Sequence, residues 1–135
     1  MDTVVTPAGH AAALWAGLLI LLMLALSVLT VRQRQRTGVV IGDGELEPVV
    51  KAMRAFGNAS EYIPAGIGAL AALTLVGASW WAIHLVGGVL FLGRLVHAVA
   101  LSTNLDVSLG RTVGMLMTWL SFLIGAALLI FYSAP

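Results

Sequence analysis

Between Arg54 and Pro64 the chain reads Arg-Ala-Phe-Gly-Asn-Ala-Ser-Glu-Tyr-Ile-Pro. Arg54, Asn58 and Glu61 follow one another at intervals of four and three. On a helix those intervals put a guanidinium, an amide and a carboxylate on one face, with Tyr62 beside them. The stretch opens a long apolar run. A charged side chain inside a membrane helix costs about 2.5–3.5 kcal/mol on insertion scales, and more against lipid. A chain that keeps such groups in register must turn them inward, toward partners or a ligand. Arg94 and His97 repeat the pattern at i and i+3 of a later run, and Arg32 and Arg111 stand at the ends of two others. Two readings of this set stay open. The groups can be salt bridges, such as Glu61 with Arg54 or Arg94, that glue helices together. Alternatively, the excess of arginine over carboxylate suits an anionic ligand that also carries an amine.

The sequence contains no cysteine. That excludes disulfides, thiolate metal sites and a protein thiol nucleophile, so any thiol chemistry must use a thiol brought by a substrate.

Composition then states what must position these residues. Of 135 residues, 60% are hydrophobic and 10% charged, with a mean hydropathy of +1.02. Soluble domains carry roughly 25% charged residues, so this is the composition of a membrane protein. Ala11 to Val31 is free of charge and about as long as the roughly 20 residues a bilayer crossing needs. No basic segment precedes it, so it is expected to remain as a span rather than be cleaved. It stops at Val31-Arg32-Gln33-Arg34-Gln35-Arg36. Arg34 and Arg36 read as positive-inside anchors, and Arg32 as either an anchor or a ligand contact.

Thr37 to Pro48 is rich in glycine and acid and reads as a flexible linker, with an ordered loop over the cytoplasmic mouth as the alternative. Pro48 suits the first turn of a second helix, with Glu45 and Glu47 near its positive end. That helix reaches membrane length only if it includes Lys51 to Glu61, and Pro64 should kink it. Trp80 and Trp81 read as an interfacial pair opening a third helix, with His84 as an interfacial or hydrogen-bonded histidine. Arg111 heads the last run. The expected fold is all-α: a single integral membrane domain, a four-helix bundle with spans near 9–33, 48–76, 80–102 and 110–132. All seven Lys and Arg residues fall at one side, and of the six acids only Asp2 falls at the other. The positive-inside rule makes the charged side cytoplasmic and both termini external.

Arg54-x-x-x-Asn58-x-x-Glu61-Tyr62-x-Pro64 resembles the second-helix signature of the MAPEG proteins (membrane-associated proteins in eicosanoid and glutathione metabolism). Gly93-Arg94-x-x-His97-x-x-Ala100 is similar to the third-helix segment of their microsomal prostaglandin E synthase branch. With the Val31-Arg32 boundary and Arg111, the resemblance covers nearly the whole chain. It implies a homotrimer with glutathione bound between subunits near the cytoplasmic face. Carried over residue by residue, Arg54, Asn58, Glu61 and Tyr62 hold the peptide, with Glu61 on the γ-glutamyl amine. Arg32, Arg94, His97 and Thr112 complete the pocket, and Arg111 holds the thiol as thiolate. Leu101 departs from the pattern, since close relatives often carry tyrosine there.

The resemblance implies a membrane glutathione transferase or peroxidase, with glutathione as co-substrate and a lipophilic partner arriving through membrane lipid. No metal and no nucleic acid are expected. The alternative is a non-enzymatic trimeric scaffold or regulator that keeps the same pocket. A channel fits less well, because the charges do not continue across the bilayer.

Overall fold

The computed structural model describes residues 6–134, so Asp2 lies outside the described residues. Among the described residues the chain forms four helices: α1 (Pro7–Thr37), α2 (Glu47–Leu75), α3 (Trp80–Thr103) and α4 (Leu109–Ser133). They make an all-α bundle. The central pair is α2 and α3, each of which touches both α1 and α4.

The helix ends follow from local chemistry. Thr6 caps α1 by accepting the Gly9 amide at 3.1 Å, and a proline occupies its first turn. At the other end α1 runs past its apolar stretch to Thr37, beyond the boundary expected near residue 33. Arginine and glutamine are good helix formers, so nothing stops the helix until Gly38 takes a left-handed conformation and its amide bonds the Arg34 carbonyl. The arginines therefore ride on a rigid helical extension. Ser108 caps α4, its hydroxyl accepting the Arg111 amide at 3.4 Å.

Three helices, α1, α3 and α4, are long and apolar enough to cross a membrane. The remaining one, α2, has 29 residues but carries the polar stripe. Its length alone is about 43 Å, more than a hydrocarbon core requires. One face, including Val49, Ala55, Ala59, Ile63 and Leu70, is buried against its neighbours. The helix continues through Pro64, where the Ser60 carbonyl loses its usual amide donor.

Small residues set the closest helix contact. A methyl group on Gly93 would lie 2.9 Å from the Gly114 carbonyl oxygen, and one on Gly114 only 2.6 Å from the His97 amide nitrogen. Both are glycine because α3 and α4 meet backbone to backbone there. Farther along the same seam, Ser121 donates to the Val86 carbonyl at 2.8 Å.

At the end of the bundle away from the long connectors, the Trp15 indole lies on Gly87, where any side chain would collide with it. Its Nε1–H donates to His84 Nδ1 at 3.0 Å. His84 is thus the hydrogen-bonded histidine that its position suggests.

Candidate functional site

The polar stripe of α2 faces a cavity of about 700 Å³ at the connector end of the bundle. Arg54, Asn58 and Glu61 line it from α2, His97 and Leu101 from α3, and Arg111 and Met115 from α4. Helical spacing explains the alignment within α2, and the Gly93–Gly114 contact brings His97 and Arg111 to the same depth. The α3–α4 connector adds Leu105 and the α1–α2 connector adds Asp43.

The charges on this wall are not spent on each other. Among the described residues, the one ion pair within 4.0 Å is Glu47 with Lys51, one turn apart near the start of α2. Arg54 and Glu61 are both exposed. Arg111 uses one nitrogen, Nη1, to donate to the carbonyls of Leu105 and, at 3.0 Å, Asp106. That fold-back ties the head of α4 to its own connector, and Nε and Nη2 have no protein hydrogen bond among the described residues. A network built as glue would pair Glu61 with an arginine; here it does not.

Arg94 stands behind the wall rather than on it. It is 1% exposed and donates from Nη1 to Asn58 Oδ1 at 2.7 Å. Its guanidinium carbon sits 5.0 Å from the centre of the Tyr62 ring, a cation–π distance. Its Nε and Nη2 are buried without a partner. Arg94 thereby fixes the amide of Asn58, whose remaining donors are left for the cavity. Tyr62 is half-buried between Arg94 and Phe122 and does not line the cavity.

Two predicted site residues lie elsewhere. Arg32 is exposed on the α1 extension and outside the cavity lining. Thr112 is exposed in an adjoining groove of about 290 Å³, shared with His97, Arg111 and Met115 and walled by Val107, Leu116 and Trp119. The groove is apolar apart from the residues that it borrows from the cavity and Thr112.

The α1–α2 connector is the main departure from the sequence reading. It is folded rather than an open linker, because Arg34 donates to the carbonyls of Val40 at 3.1 Å and Gly42 at 3.0 Å. Asp43 and Arg34 are the two polar residues that the motif did not supply. The available signal was an acid set between Gly42 and Gly44, which places a polar side chain in a tight turn.

The chain matches the MAPEG family over residues 12–131. It belongs to that family. It is also 38% identical over 112 residues to "Inner membrane protein YecN" of Escherichia coli strain K12, covering 83% of this chain and 84% of the relative. The same protein from Escherichia coli O6:H1 matches equally well. No solved structure matches significantly. As a MAPEG protein with three strongly apolar helices and an inner-membrane relative, the chain is an integral membrane protein.

Proposed function

We propose that this MAPEG protein is a glutathione transferase that presents glutathione as thiolate to a lipophilic electrophile. The observation that carries the proposal is the unpaired charge of the cavity: Arg54, Glu61 and Arg111 line about 700 Å³ together with Asn58 and His97. Ligand sites commonly enclose about 300–1,000 Å³, so a tripeptide fits. Its carboxylates suit the guanidinium groups and its amine suits a carboxylate.

A free thiol titrates near about 8.5 and is mostly protonated at neutral pH, while the nucleophile is the thiolate. A permanently charged arginine beside the sulfur favours the anion and cannot itself release a proton. The position of Arg111 on the border of both the polar cavity and the apolar groove supports this role. An electrophile lodged against Leu116 and Trp119 lies next to the same guanidinium. The thiolate attacks its electrophilic carbon, a C–S bond forms, and the leaving group departs with the electron pair. With a hydroperoxide in that groove, the thiolate attacks the terminal oxygen, an S–O bond forms as the O–O bond breaks to give the sulfenic acid, and the alkoxide takes a proton from water and leaves as the alcohol. A second glutathione then completes the reduction by forming the disulfide and water.

The functional unit is a homotrimer. An exposed line of Glu61, Ala65, Gly68 and Ala71 runs along α2, small enough for another helix to approach closely. A neighbouring copy on this face encloses the open side of the cavity and brings its own α1 extension, with Arg32, toward the ligand. The cavity faces the cytoplasm, where the cationic ends lie.

Leu101 supports a second reading, a pocket used for regulation without turnover. It sits 5% exposed in the cavity wall and offers the ligand no hydrogen bond where relatives often carry tyrosine.

Ultraviolet absorbance of the thiolate in the glutathione complex tests the assignment. Wild type should show the thiolate at neutral pH. Arg111→Ala should lose it there and regain it on alkaline titration, with Arg111→Lys intermediate because it restores charge without the planar fork. A thiolate signal that survives Arg111→Ala and vanishes in Arg32→Ala moves the catalytic role to Arg32. Turnover of a chromogenic electrophile with and without glutathione separates enzyme from regulator.

A further inference from the structure

The α1–α2 connector contributes a group that the thiol chemistry does not use. Asp43 is half-buried and lines the cavity. Its Oδ1 accepts the Glu45 amide at 3.0 Å and its carbonyl accepts the Leu46 amide at 3.2 Å. The side chain is therefore held by its own turn, with one carboxylate oxygen free of any protein donor among the described residues.

The turn is tied down from a different element. Arg34, on the rigid extension of α1, donates from Nη1 to Val40 and from Nη2 to Gly42, and Nη2 also meets Met53 Sδ at 3.5 Å. Its Nε is buried without a partner. These contacts clamp Val40 and Gly42, three residues and one residue before Asp43, between α1 and α2. If Arg34 were only a membrane anchor, its head group would be in water. Here it is committed to connector carbonyls.

The charges on the wall decide what Asp43 can attract. Arg54 draws a ligand carboxylate and Arg111 the thiolate, and Asp43 repels both anions. An ammonium is the ligand group that gains from it, through a charge-assisted hydrogen bond. We infer that Asp43 is a specificity-determining contact for an ammonium group of the ligand, held in the cavity wall by Arg34 as a positioning residue. The inference rests on the reading of the cavity as a glutathione site, since the γ-glutamyl end of that peptide carries such a group. It divides the amine between Glu61 of α2 and Asp43 of the connector, where the family motif assigns it to Glu61 alone.

Titration calorimetry with two ligands tests this: glutathione, and N-acetylglutathione, which keeps the carboxylates and thiol but has no ammonium. Asp43→Asn preserves the local turn, because an amide oxygen still accepts the Glu45 amide. It should weaken glutathione about tenfold and the acetylated ligand less than about twofold, as loss of one charged partner does. Arg34→Gln should show the same ligand-selective loss. It should also speed hydrogen exchange across residues 38–46, which Asp43→Asn should not. Arg34→Lys should recover little, since its single nitrogen lacks the two separately placed nitrogens with which the guanidinium reaches Val40 and Gly42. Equal affinity changes for both ligands in Asp43→Asn, or none, overturn the Asp43 contact. Unchanged exchange in Arg34→Gln overturns the clamp. Failure of the wild-type protein to bind either ligand overturns the reading of the cavity itself, and this contact with it.

Discussion

Helix α3 carries two histidines, and the bundle treats them in opposite ways. His84 is packed edge-on by Trp15 and Trp80, with ring centres 6.0 and 5.8 Å away, and accepts the Trp15 indole N–H. His97 is 5% exposed on the cavity wall and has no protein hydrogen bond among the described residues. The same contrast holds for the surroundings. At the tryptophan end Trp15 and Ser121 donate to partners within the protein, and Ser79 Oγ is the one buried polar atom there, among the described residues, without one. At the connector end Arg54 and Glu61 face open space and Arg94 keeps two buried nitrogens unpaired. An unmatched buried donor costs about 1–3 kcal/mol, so a fold that tolerates several in one place is organised there for something other than its own stability.

The contrast can be attacked at its strongest point first. The connector end is open in front but tight behind, because Gly114 lies against the backbone of His97. Gly114→Leu should prevent folding, read as loss of a monodisperse species in detergent. Recovery of a well-folded variant would mean that the α3–α4 seam is looser than the geometry requires.

The next effect separates the two ends. Trp15→Ala removes the ring seated on Gly87 and should lower unfolding free energy by about 3 kcal/mol, with glutathione affinity of the folded fraction unchanged. Arg54→Ala and Glu61→Gln should do the reverse. Each should weaken glutathione binding by about 1.5–3 kcal/mol in calorimetry and leave the thermal midpoint where it is. If the cavity variants lose stability as well, these side chains bind the bundle together and the salt-bridge reading returns.

The smallest effect refines the picture within α2. Gly57 lines the cavity, and a methyl group there would meet nothing within 4 Å. Gly57→Ala should stabilise the helix by up to about 1 kcal/mol in thermal unfolding. Its bulkier counterpart Gly57→Leu should keep the fold and block glutathione. A destabilised alanine variant would show that the space is filled in the assembled protein.

Much of this was legible in the residue order. Four apolar runs broken by glycine, proline and charge dictate four helices, because a backbone in lipid must satisfy its hydrogen bonds within each segment. The spacing of Arg54, Asn58 and Glu61 dictates a shared face for the same periodic reason, and the motif around them carries the family. What the sequence could not supply is depth and partnership. Arg94 and Arg54 look equivalent as letters, yet one is buried behind Asn58 and the other stands free, since only the packing of α2 on α3 decides which side of the stripe is sealed. Arg34 and Asp43 read as an anchor and a linker acid. Their placement depends on hydrogen bonds from one element to the carbonyls of another, and carbonyls have no letter in the sequence.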